Sequence, residues 1–201
     1  INGGAGIDQV VFNLGSFNFG DNNLELAKFL SSNLAFNGTQ ITFGEAEDGI
    51  NLFEEEAFNT LINIEQMLFG DEESGYQRVI VVGAGSEYTF AQAVTLANTT
   101  LDDGDIIYVA DTSISNVSVT PGMNIIFAES SAPVVINSLS GGEINLFGKR
   151  LFTFNGSNST NINNVDIVHD YTNVASGTNV INANGGDDSV VVHGSGSTIV
   201  Y

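Results

Sequence analysis

The residues Gly3-Gly4-Ala5-Gly6-Ile7-Asp8-Gln9-Val10-Val11 combine what a turn around a hard cation requires. Glycines reach positive φ and let backbone carbonyls face an ion, Asp8 adds an anionic oxygen, and Val10 enters the core of a short strand. Calcium takes six to eight oxygens at about 2.3–2.6 Å, so one such turn is only part of a site. Near the other end, Ala183-Asn184-Gly185-Gly186-Asp187-Asp188-Ser189-Val190-Val191 is a degenerate copy. Ala183 and Asn184 replace the first two glycines, while Gly186, Asp188 and Val190 stay in register. His193 to Val200 reads as a further decayed turn, with Thr198 where the aspartate would stand. The candidate metal positions are therefore Gly4, Gly6, Asp8, Asn184, Gly186 and Asp188, and the candidate cofactor is Ca2+. A metal-free glycine corner is the alternative at both ends, more so at the second.

Other chemistry finds weaker footing. His169 and Asp170, with Asp166 and Tyr171 beside them, could form an acid–base cluster, although a surface histidine next to a carboxylate is the simpler reading. His193 is lone and polar-flanked and reads as structural. Gly83-Ala84-Gly85 follows the apolar run Arg78 to Val82, but Tyr88 stands where a dinucleotide loop needs its third glycine. The run Glu54 to Glu56 reads as a solvated helix start. Asn37, Asn98, Asn116, Asn155 and Asn158 begin glycosylation sequons, as expected by chance in a chain so rich in Asn, Ser and Thr. No catalytic residue is assigned.

Positioning these turns falls to two kinds of segment. Residues 1–85 read as a mixed α/β region that opens with the glycine turn. Helices are expected from Asn22 to the Asn37-Gly38 stop and across Phe53, Ala57, Leu61, Ile64 and Leu68, and a third from Tyr88 to Asn98. From Asp102 onward short β-rich runs follow one another, separated by Gly, Asn, Ser and Pro. Ile107, Ile126 and Asn145 recur every 19 residues, and Ser118, Val135 and Phe152 every 17. Two interleaved strand series with a step of roughly 18 residues predict a solenoid; a sandwich would show more two-residue hairpins. The fold class is thus mainly β: a parallel β-helix or β-solenoid over 86–201, with a few capping helices in the N-terminal half.

Two family resemblances follow from these residues. The first nonapeptide is similar to the calcium-binding repeat of the repeats-in-toxin family at every defined position. That resemblance implies that a site is completed by the next turn of a stack. Tyr88 to Asn98 followed by Asp102-Asp103-Gly104-Asp105-Ile106-Ile107-Tyr108-Val109 resembles the opening of right-handed parallel β-helix proteins, in which an amphipathic helix covers the open end of the coil. Some β-helix proteins are polyuronate lyases or epimerases, which need Lys or Arg near the substrate. Here only Lys149 and Arg150 lie in the solenoid region.

Bulk properties narrow the partners. Asp and Glu number 24 against four Lys and Arg, a formal net charge of -20. Such a surface repels nucleic acid, anionic membranes and uronates, and favours a cation; adaptation to saline surroundings would give the same balance. Cysteine is absent, which removes disulfides, thiolate nucleophiles and Cys-based zinc sites. No apolar run of roughly 18 residues could span a bilayer. Ile1-Asn2-Gly3-Gly4 lies inside a repeat without an initiating Met, so a processed segment is expected. Together these features lead us to expect a calcium-stabilised structural or adhesive module of a large secreted or cell-surface protein: a surface layer, filament, adhesin or matrix component. End-to-end self-assembly is a possible partner interaction, and carbohydrate a possible ligand. The alternative is a polysaccharide-modifying β-helix enzyme or its accessory module, so catalysis stays open behind the structural role.

Overall fold

The computed structural model describes residues 1–13, 23–38, 40–43, 60–73, 75–97, 104–140, 142–156, 167–174, 176–183 and 189–201. In chain order the elements are β1 (Gln9–Asn13), α1 (Asn23–Asn33), β2 (Leu34–Phe36), β3 (Ile41–Phe43), β4 (Thr60–Leu61), β5 (Gln66–Asp71) and β6 (Gly75–Val82). They continue with α2 (Phe90–Leu96), β7 (Ile106–Val109), β8 (Asn116–Val119), β9 (Met123–Ser138), β10 (Ile144–Asn155), β11 (Ile167–Thr172), β12 (Thr178–Asn182), β13 (Ser189–Val192) and β14 (Ser197–Val200). The chain is mainly β, and its C-terminal part is a parallel β-solenoid of about four turns.

Two parallel ladders form the coil. β6, β7, the first half of β9, the first half of β10, β11 and β13 make one face. β8, the second halves of β9 and β10, β12 and β14 make the other. β9 and β10 run through the corner between faces, and the pairing is irregular at Gly148, Arg150 and Phe152. Gly148 has φ +110, and a Cβ there would collide with the Phe127 carbonyl, so the close approach of two rungs requires glycine. Arg150 stands at the same corner, 1% exposed. Its guanidinium donates to the carbonyls of Ala132 (2.6 Å), Thr112 (3.3 Å), Ile114 and Pro133. Desolvation by burial lowers the Arg150 pKa, and these carbonyls meet the cost of that burial.

The observed register differs from the sequence expectation. Ile107 aligns with Ile125 and Leu146, not with Ile126 and Asn145, and Ser118 aligns with Asn137 and Asn155. The steps vary because insertions fall at the corners, and a slip of one residue exchanges the two faces of a strand. Both faces of the first ladder are buried from β6 to β10. Ile80, Val82, Ile107, Val109, Ile125 and Leu146 point into the coil with Val117, Ile136, Phe152, Phe154 and Ile181 from the second ladder. Val79, Val81, Ile106, Tyr108, Ile126 and Phe147 point outward into a second core with Leu26, Ala27 and Leu30 of α1, Ile41, Phe43, Leu61, Met67 and Phe69. Strands buried on both faces read as continuous apolar runs, as Ile106 to Val109 does.

Three helix expectations fare differently. α1 forms, but stops at Asn33, and Leu34 begins a strand paired with Phe43. The helix expected from Phe53 to Leu68 is corrected. Its first part lies outside the described residues, whereas Leu61 belongs to β4 and Leu68 to β5, where it pairs with Val11 and Arg78. α2 forms, with Thr89 as N-cap in a reciprocal capping box with Gln92. Its Phe90 and Ala93 pack on Ile80, Ile107 and Val117, covering the end of the coil's interior. Beneath α2, Arg78 pairs with the buried Asp105 through Nε (3.0 Å) and Nη2 (2.5 Å) and donates to the Leu96 carbonyl at the helix end.

Candidate functional site

The first glycine turn is one of three stacked corners. Asn2 bridges Ile62 in parallel, Gly3 N donates to the Ile62 carbonyl, and Asn63 N donates to the Ala84 carbonyl, each bond 3.1 Å. Residues 1–8 therefore rest on 62–65, which rest on 83–87. Gly83-Ala84-Gly85, all at positive φ, is the third corner. Gly4 and Gly6 have φ +95 and +112, and a Cβ on Gly3 would collide with the Asn63 carbonyl and the Asp8 side chain.

Three carboxylates meet at this stack. Glu65 is fully buried and accepts from Asp8 N (2.7 Å) and Glu87 N (2.9 Å). Glu87 accepts from Gly6 N at 3.0 Å. Asp8 Oδ2 is buried with no hydrogen-bond partner. None of the three pairs with a basic side chain among the described residues. Hard anionic oxygens beside a glycine turn suit calcium, and the orphaned Asp8 oxygen is the atom such an ion would satisfy. The fit is incomplete in number, since among the described residues no group of three or more His, Cys, Asp or Glu is arranged to hold a metal. Glu65 and Glu87 were missed from sequence because they arrive from corners far along the chain and spend oxygens on turn N–H groups.

Asn184, Gly186 and Asp188 lie outside the described residues. Their flanks are ordered into the coil: Ala183 is buried and its N–H donates to the Tyr201 carbonyl at 3.1 Å, and β13 pairs with β11. In the further decayed turn, Thr198 Oγ1 donates to Asp170 Oδ2 at 2.7 Å.

His169 and Asp170 do not act together, because adjacent residues on a strand face opposite ways. Asp170 points inward and is 1% exposed. Its Oδ1 accepts from Thr172 N (2.9 Å) and Thr172 Oγ1 (2.7 Å), and Asn179 Nδ2 approaches Oδ2 at 3.4 Å. In the column Ile107, Ile125, Leu146, Asp170, the interior turns from apolar to polar at the fourth rung. His169 points outward, with Nε2 at 3.0 Å from Glu143 Oε1 and Nδ1 at 3.3 Å from His193 Nε2. Tyr171 stacks between Phe147 (4.7 Å) and His193 (4.1 Å), with Lys28 Nζ of α1 5.4 Å from its ring centre. Although much of His193 meets solvent, burial of its stacked face lowers its pKa, and His169 adds to the effect. Asp166 lies outside the described residues. In the ladder His169 aligns with Val191, and His193 lies two residues beyond that partner, a relation that becomes legible only once register is known.

No family model matches the chain, and neither curated proteins nor solved structures give a match. No helix among the described residues is long and apolar enough to cross a membrane.

Proposed function

We propose that the chain is a calcium-stabilised structural or adhesive module of a large secreted or cell-surface protein. One observation carries this reading: Asp8 Oδ2 is buried without a donor in a glycine turn that stacks against Glu65 and Glu87, in a chain of net charge -20. A cation would satisfy that oxygen, and the acidic balance of the chain favours one. Asp8 would be the side-chain ligand, with backbone oxygens near Gly4 and Gly6 completing part of the shell. Asn184, Gly186 and Asp188 enter the proposal on their sequence pattern alone. Adhesion or end-to-end stacking draws support from the last described rungs, where Val192, Ile199 and Val200 are 45–47% exposed and, among the described residues, β13 and β14 each pair on one side. The alternative of a polyuronate-modifying enzyme has less support, because Arg150 is buried and bonded to backbone carbonyls.

The test is thermal unfolding followed by circular dichroism, in calcium and in chelator, for the parent chain and Asp8→Asn. Calcium should raise the parent's midpoint, by about 2.7 kcal/mol of stability at a hundredfold excess over the dissociation constant. Asp8→Asn should remove most of that increment. Equal midpoints in calcium and chelator would overturn the reading. Sedimentation in the same solutions reads whether calcium also promotes assembly.

A further inference from the structure

We propose that His169 and His193 form a two-imidazole site for a divalent late transition ion, of the class of Ni2+, Cu2+ or Zn2+, on the outer face of the first ladder beside α1. His169 Nδ1 and His193 Nε2 are 3.3 Å apart. Metal–nitrogen bonds of about 2.0–2.1 Å place two neighbouring ligand nitrogens roughly 2.9–3.4 Å apart, so the two ring nitrogens already stand at the separation of two ligands on one ion. Glu143 Oε1, 3.0 Å from His169 Nε2, holds the proton on that nitrogen and leaves the Nδ1 lone pair directed away from it. A carboxylate behind a ligating imidazole fixes its tautomer and orientation, which makes Glu143 a positioning residue.

The site is held from several sides. His169 and His193 come from adjacent rungs tied by the β11–β13 ladder, and His193 N donates to the Asp170 carbonyl at 2.7 Å. Tyr171 lies 3° from parallel with the His193 ring and is itself stacked on Phe147. Two ligands leave the remaining positions to water, in keeping with the absence of any larger ligand cluster among the described residues. Imidazole nitrogen selects late transition ions, whereas calcium prefers oxygen, so this site is separate in chemistry and place from the Asp8 turn.

Chelator-stripped, untagged protein is titrated with NiCl2 and ZnCl2 by calorimetry, and Cu2+ is added for electron paramagnetic resonance. The expected result is saturable binding of one ion per chain, with nitrogen hyperfine structure from two imidazoles. His169→Gln and His193→Gln should each weaken binding at least tenfold and leave one nitrogen in the Cu2+ spectrum. Glu143→Gln should weaken it about 10- to 100-fold with both nitrogens retained, a pattern that a purely structural role would not give. Circular dichroism of each variant verifies the fold, and His193→Gln, at an exposed position, is the variant on which the conclusion rests. Absence of binding by the parent, or parent-like binding by folded His193→Gln, would overturn the proposal.

Discussion

Among the described residues Asp170 is a buried carboxylate without a basic partner, held by Thr172 N, Thr172 Oγ1, Thr198 Oγ1 and Asn179 Nδ2. Asn179 is bound in turn, donating to Thr172 Oγ1 at 2.7 Å and accepting from Phe152 N at 3.1 Å. Removing Asp170 would leave several buried donors unpaired at once. Asp170→Ala is therefore expected to lower stability by about 3 kcal/mol or more in urea unfolding. Thr198→Val removes one donor and should cost about 1–2 kcal/mol. Sequence could not single out this role: Asp170 beside His169 looks like an acid–base pair until strand alternation separates them. The Asp8 turn was more legible, because its glycines, its aspartate and the following strand are consecutive. Its carboxylate neighbours were not, since Glu65 and Glu87 are brought to it only by stacking.

Between elements, the second ladder carries a chain of asparagines. Asn137 Nδ2 donates to Asn116 Oδ1 (2.9 Å), Asn155 Nδ2 to Asn137 Oδ1 (2.9 Å) and Asn182 Nδ2 to Asn155 Oδ1 (2.8 Å). Each amide donates to the previous rung and accepts from the next, so interior members are coupled to both neighbours. Asn155→Ala should cost more than Asn116→Ala, by about 1 kcal/mol, and a double-mutant cycle of Asn137 with Asn155 should show coupling of about 0.5–1 kcal/mol. Periodicity made the strands and their average step legible. It misplaced the register, because β9 and β10 turn a corner without breaking and the irregularity at Gly148, Arg150 and Phe152 leaves no mark in hydropathy. The helix expected through Leu61, Ile64 and Leu68 shows the same limit. Leu61, Ile64, Met67 and Phe69 are all buried, and such spacing does not distinguish a helix from strand segments packed into one core.

At the scale of the whole molecule, the two ends are built differently. At one end α2 covers the coil's interior and the sheet runs on through β5 to the edge strand β1, where Ile7 and Val11 are exposed; at the other, β13 and β14 expose Val192, Ile199 and Val200. Charge is uneven in its consequences too: a surface of net -20 resists collapse everywhere, yet among the described residues the buried carboxylates without a basic partner are Glu65 at the Asp8 turn and Asp170. The parallel ladders also set how the molecule bears load. Their hydrogen bonds run along the stacking axis, so tension on the C-terminus pulls on β14 and β13 in line with those bonds and opens the coil one rung at a time. The aligned residues Ile181 and Val200 are 19 apart, and a rung of that length released as extended chain yields roughly 65 Å. A force–extension trace should show successive steps of about that size, with the rungs at β6 and β7 yielding last; a single all-or-none rupture would contradict it. A chain built this way would act under strain as a serial shock absorber, lengthening in increments while the remainder keeps its shape.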